Sequence, residues 1–141
     1  MTFEKAFVYK KIEYIEGYLI KVKDLLKFSD NKILSDYTKF LTEERLFQLI
    51  VDAITDINQH IIKELELKNT PEDPQNAFYT LGENKILPEK FAFRVAPMVA
   101  VRNRLVHGYE TLDQSLFTKN LRKHYSDFEK YIKFINKYLS R

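Results

Sequence analysis

Three stretches of this chain repeat apolar residues at alternating spacings of four and three, a rhythm that fits a helix face and not a strand. Between Phe3 and Lys27, residues Val8, Ile12, Ile15, Leu19, Val22 and Leu26 fall on one stripe. Leu46, Leu49, Ile50, Ala53, Ile54, Ile57 and Ile61 do the same in a second helix, expected from about residue 43 to 66. Thr42 is its expected N-cap, with Glu43 and Glu44 in the first turn, near the positive end of the helix dipole. Leu121, Tyr125, Phe128, Ile132, Ile135 and Leu139 mark a final helix over about 114–139. Shorter helical pieces are expected at about 32–41, 75–83 and 89–105, the last kinked by Pro97. A loop is expected from Asn69 to Pro74 and a turn from Gly82 to Pro88. The reading is all-α, a helical bundle, and each stripe can also serve as a seam to a partner helix.

Composition closes off other classes. Only 3 Gly and 4 Pro are present, too few for a sandwich of many turns. There is no Cys, which excludes disulfides, Cys-based zinc sites and thiol nucleophiles. With 141 residues, 45% hydrophobic and 30% charged, the chain suits one domain over 1–141 with a real core. The net charge of +3 permits nucleic-acid binding without requiring it. The N-terminus has no apolar signal core and every apolar stretch is soon broken by charge, so a cytoplasmic protein without a membrane span is expected.

Proton transfer near neutral pH favours histidine, and the chain has three: His60, His107 and His124. His60 and His124 read as boundary or surface residues. His107 lies in Val99-Ala100-Val101-Arg102-Asn103-Arg104-Leu105-Val106-His107-Gly108-Tyr109, where a helix meets a turn. Arg102 shares a face with Phe91, Val95, Met98 and Leu105, so it must find a carboxylate or line a cleft. Asp52 and Asp56, at the edge of the second stripe, can pair with Arg102 or Arg104, although a solvated salt bridge is the simpler role. Five residues along a continuous helix turn His107 well away from Arg102. The two converge only if the helix ends near Leu105 or Val106, or if two chains build the site. Arg and His suit RNA cleavage: His107 moves a proton and Arg102 holds the phosphate charge. By spacing alone, an arginine paired across the bundle and a histidine at a helix end account for the pair better.

The segment from Arg102 to Tyr109 fits the pattern Arg, four residues, His, any residue, Tyr, and so resembles HepT-like members of the HEPN superfamily. Met98 to Asn103, Leu46 to His60 and Pro74 to Leu87 are similar to the family's flanking helices, so the likeness covers nearly the whole chain. The resemblance implies a four- to five-helix bundle, a homodimer, and a metal-independent endoribonuclease that leaves a 2′,3′-cyclic phosphate without a cofactor. It implies Arg102 and His107 of both protomers in one cleft at the dimer interface, with Asn103 the polar residue that follows the arginine. It also implies a minimal nucleotidyltransferase (MNT) antitoxin that transfers AMP to Tyr109, placing negative charge beside the cleft. Lys119, Arg122 and Lys123 can guide RNA or simply form a solvated face. Two other readings stay open: a non-catalytic nucleotide- or protein-binding subunit partnering a nucleotidyltransferase, and a helical adaptor.

Overall fold

The computed structural model describes residues 4–68 and 73–141. Among these residues there are eight α-helices: α1 (Lys5–Leu25), α2 (Asp30–Ser35), α3 (Tyr37–Glu64), α4 (Pro74–Glu83), α5 (Glu89–Val95), α6 (Met98–His107), α7 (Gln114–Lys119) and α8 (Leu121–Leu139). A 3-10 turn, Tyr109–Thr111, joins α6 to α7. The expected start at Phe3, and residues 69–72 of the expected loop, lie outside the described residues.

Side-chain caps set four of the eight helix starts. Ser29 accepts from the amide of Lys32, Asp73 from those of Gln75 and Asn76, and Asp113 from that of Leu116. Pro74 opens α4, where its missing N–H costs nothing. The second long helix begins earlier than its stripe predicts. Asp36, not Thr42, is its cap, accepting from the amide and the ammonium of Lys39 at 3.2 and 3.0 Å. A carboxylate with two donors outcompetes a hydroxyl. Thr42 then lies inside α3 and donates to the Thr38 carbonyl at 2.8 Å.

The expected helices over 89–105 and 114–139 are each two. Pro97 has no N–H, so α5 stops at Val95 and α6 restarts at Met98 through tight bonds from Val99 to Ala96 and from Ala100 to Pro97. A turn at Asn120 separates α7 from α8. Counting each broken helix once, α1, α3, α4, α5–α6 and α7–α8 make five units, and the short piece expected at about 32–41 is divided between α2 and the first turn of α3.

The spine is α3. Its Phe47, Ile50, Ile54, Ile57 and Ile61 are buried against Val8, Ile12, Ile15, Leu19 and Val22 of α1, Phe78 and Leu81 of α4, and Phe128, Ile132 and Ile135 of α8. Each such side chain contributes about 1.5–3 kcal/mol on burial. Tyr131 of α8 donates to the Asn58 side-chain oxygen of α3 inside this core. Arg94 of α5 meets the buried Asp127 of α8 at 2.6 Å. Together these fix the α5–α6 arm against the bundle.

Gly82 allows α4 to approach α5 closely. A Cβ there would lie 3.0 Å from the Ala92 Cβ and 3.3 Å from the Glu89 Cα. Gly17, in the middle of α1, has nothing within 4 Å of the same position. Gly17→Ala is therefore expected to stabilise by about 0.5–1 kcal/mol, and Gly82→Ala to destabilise by about 1–3 kcal/mol. Urea midpoints of the two variants check the contrast.

Candidate active site

The Arg102 side chain leaves α6 towards α3 and meets Asp52. Its Nε donates to Oδ1 at 2.7 Å and its Nη2 to Oδ2 at 3.3 Å, a two-pronged pair. The side chains are 24% and 40% exposed, so water reaches both. Such pairs contribute about 1 kcal/mol or less, weak enough for a phosphate to compete for the guanidinium. Nη1 also lies 3.4 Å from the side-chain oxygen of the exposed Asn103. A guanidinium has five N–H donors, so Nη1 and Nη2 each keep one for a ligand.

His107 is the last residue of α6 and is exposed. The helix does not end at Leu105 or Val106, because the Gly108 amide still bonds the Arg104 carbonyl at 3.2 Å. His107 therefore stands about 7.5 Å along the axis and about 140° round it from Arg102. Within one chain the two point to different sides.

After Gly108 the chain tightens. Thr111 bonds the Gly108 carbonyl through its amide and its hydroxyl, at 2.9 and 2.7 Å. This turn carries Tyr109 back to α3. Its hydroxyl donates to Glu44 Oε1 at 3.3 Å and accepts from Gln114 Nε2 at 3.0 Å. The ring is 39% exposed. Partial burial, then the bond to Glu44 and its charge, raise the phenol above its ordinary pKa. Burial also raises Glu44.

Glu43 and Glu44 are not the first-turn acids expected from the sequence. With α3 starting at Tyr37, they share the inward stripe of Phe40, Phe47 and Val51. Glu43 is 1% exposed, and Thr118 of α7 donates to its Oε2 at 2.9 Å. Burial pushes its carboxyl up to about 7. His124 is half-buried, the boundary residue the sequence suggested. Its ring packs among Phe47, Phe117 and Phe128, at 4.9, 6.2 and 6.4 Å between centroids, and burial pulls it down to about 4. His60 stacks on Phe7 at 4.4 Å, at the edge of the bundle.

Asp56 pairs with Lys11 at 2.8 Å, not with an arginine of α6. With Asp52, Tyr14 and Tyr18 these two line a hollow of about 220 Å³ between α1 and α3. Arg104, Lys119 and Lys123 are exposed. Arg122 instead binds the Leu26 carbonyl at 2.8 Å and Asp30 at 3.5 Å. Sequence reasoning missed Glu44 and Gln114 as partners of Tyr109. The available signal was the three- and four-residue spacing of Glu43 and Glu44 from Phe40 and Phe47. Among the described residues no group of three His, Asp or Glu could hold a metal, and no helix is long and apolar enough to cross a membrane.

Residues 15–135 match the model of a family described as "Ribonuclease HepT-like". The chain is 33% identical over 136 residues to the tRNA nuclease HepT of Aphanizomenon flos-aquae, covering 96% of this chain and 92% of that protein. It is 25% identical over 126 residues to the mRNA nuclease HepT of Shewanella oneidensis, covering 89% and 86%. Its fold matches the tri-AMPylated Shewanella oneidensis HEPN toxin solved in complex with MNT antitoxin. The TM-score is 0.86 at 22% identity, over 95% of this chain and 99% of that one.

Proposed function

Because the chain belongs to the HepT-like family of HEPN ribonuclease toxins from MNT/HEPN toxin–antitoxin systems, we propose that it is a cytoplasmic, metal-independent endoribonuclease acting as a homodimer. The observation that carries this reading is the display of α6. Arg102 has donors to spare, and His107 is exposed at the end of the same helix, turned about 140° away. A second copy of the chain can bring its His107 to the phosphate that Arg102 of the first copy holds. His107 then takes the proton of the ribose 2′-hydroxyl. The 2′-oxygen attacks the adjacent phosphorus and the 5′-oxygen leaves, giving a 2′,3′-cyclic phosphate. Arg102 neutralises the charge that gathers on the phosphoryl oxygens.

The proposed partner is an MNT-type nucleotidyltransferase antitoxin that places AMP on Tyr109. Support comes from the exposed ring of Tyr109, two residues past His107, and from the AMPylated relative crystallised with such a partner. Each added phosphate brings negative charge to the mouth of the site and repels RNA.

The Asp52 pair favours a second reading, in which Arg102 is a structural cation and the chain only binds nucleotide or partner. One experiment separates the two. Purified protein incubated with RNA in excess chelator is expected to give fragments ending in 2′,3′-cyclic phosphate. RNA left intact, with nucleotide binding retained, leaves only the second reading.

A further inference from the structure

We propose that Glu44 is the general base that activates Tyr109 for nucleotidylation, so that the modified chain supplies part of the chemistry done on it. This rests on the reading above that Tyr109 accepts AMP. The tyrosine hydroxyl is held from two sides with opposite polarity. Gln114 donates to the phenolic oxygen at 3.0 Å, and that oxygen directs its proton to Glu44 Oε1 at 3.3 Å. The remaining lone pair faces away from these two partners, on a ring that is 39% exposed. A phenol that must attack phosphorus has to shed its proton. Here burial and the neighbouring carboxylate hold that proton more firmly than in a free tyrosine. Among the described residues, the atom that accepts this proton's hydrogen bond is Oε1 of Glu44.

Glu44 is suited to the task. It is 8% exposed, and its second oxygen, Oε2, has no partner among the described residues. Burial moves it above the ordinary carboxylate range, closer to the operating pH of a general base. In the step, the Tyr109 oxygen bonds to the α-phosphorus of ATP as the α–β phosphoanhydride bond breaks. Pyrophosphate leaves and the phenolic proton passes to Glu44. The groups around this centre are Glu43 beside Glu44 on α3, Tyr37 at the start of α3, and Gln114 at the start of α7. Burial favours proton uptake by Glu44, and its bond to Tyr109 opposes it.

The test uses the purified chain, an MNT-type nucleotidyltransferase and radiolabelled ATP, with Tyr109→Phe as the blank. Glu44→Gln keeps the shape and the acceptor oxygen but removes the base. Its initial labelling rate is expected to fall by about 10²–10⁴. The wild-type rate should rise with pH as Glu44 ionises, and Glu44→Gln should lose that limb. A merely structural contact would leave the limb in place. If Glu44→Gln does not fold, Glu44→Asp replaces it, and is expected to label slowly while keeping the limb. Labelling at the wild-type rate, with an unchanged pH profile, overturns Glu44 as the base. A wild-type chain that takes no label at Tyr109 overturns the modification itself, and the base with it.

Discussion

Arg102→Ala and His107→Ala chains, each inactive alone, are expected to recover about one quarter of wild-type RNA cleavage when co-expressed in equal amounts. Each substitution by itself should cost about 10²–10⁴ in rate, the usual scale for losing a general acid–base group or a fixed phosphate donor. Recovery follows from the geometry of α6, which turns the two side chains about 140° apart. If Arg102 of one protomer works with His107 of the other, half of a random mixture is mixed dimer. Each mixed dimer carries one site with both groups and one with neither. If both groups of a site came from one chain, no combination of the two variants would restore it. Cleavage assays on co-purified, differently tagged chains distinguish these cases, and a flat background in the mixed dimer removes the two-chain site.

The second large effect concerns stability. Burial with a single hydroxyl donor pushes the Glu43 carboxyl from its ordinary 4.5 up to about 7 in the fold. A raised pKa stabilises the fold fully below pH 4.5, and that stabilisation is lost as pH rises to about 7. The loss is on the order of 3 kcal/mol. His124 works in the opposite sense. Its pKa falls from 6.5 to about 4, so it stabilises the fold fully above pH 6.5, and that contribution disappears as pH falls through 4. The two windows overlap and oppose each other, so His124 masks part of the Glu43 effect in the wild-type chain. Glu43→Gln removes one side of the balance. Its urea midpoint relative to wild type is expected to improve by on the order of 3 kcal/mol on going from pH 4 to pH 8. Any constant cost of the buried amide drops out of that comparison, and so does Glu44, common to both chains. Parallel pH curves for the two proteins would mean that Glu43 enters the fold already ionised.

The sequence announced the long helices because their stripes are local. Val8, Ile12, Ile15, Leu19 and Val22 of α1, and Phe128, Ile132, Ile135 and Leu139 of α8, are buried as the spacing requires. The α1 rhythm overshoots by one residue at its end, where Leu25 is buried and Leu26 caps the helix. What local spacing could not settle were competitions. Asp36 and Thr42 are both able caps, and only the extra donor on Lys39 decides between them. That six-residue shift turned Glu43 and Glu44 from first-turn acids into buried ones. The motif around Arg102 was legible, and Asp52 was one of two acids expected near it, but the choice between Asp52 and Asp56 and the partner of Tyr109 were not. Asp52 lies 50 residues away in the chain and Glu44 lies 65 residues from Tyr109, and no periodicity records which acid a distant side chain will meet.

Asp52 and Glu44 stand on the same uninterrupted helix, one holding Arg102 and the other Tyr109. Their separation of eight positions makes α3 a gauge block of about 12 Å. It fixes how far the Arg102 end of the motif sits from the Tyr109 end. Substitutions along that interval change its packing but not its length, whereas one added or missing residue would swing one acid by about 100° and leave the other where it was. Either end can therefore be retuned by side chain alone, while the distance between Arg102 and Tyr109 is set as a count of residues.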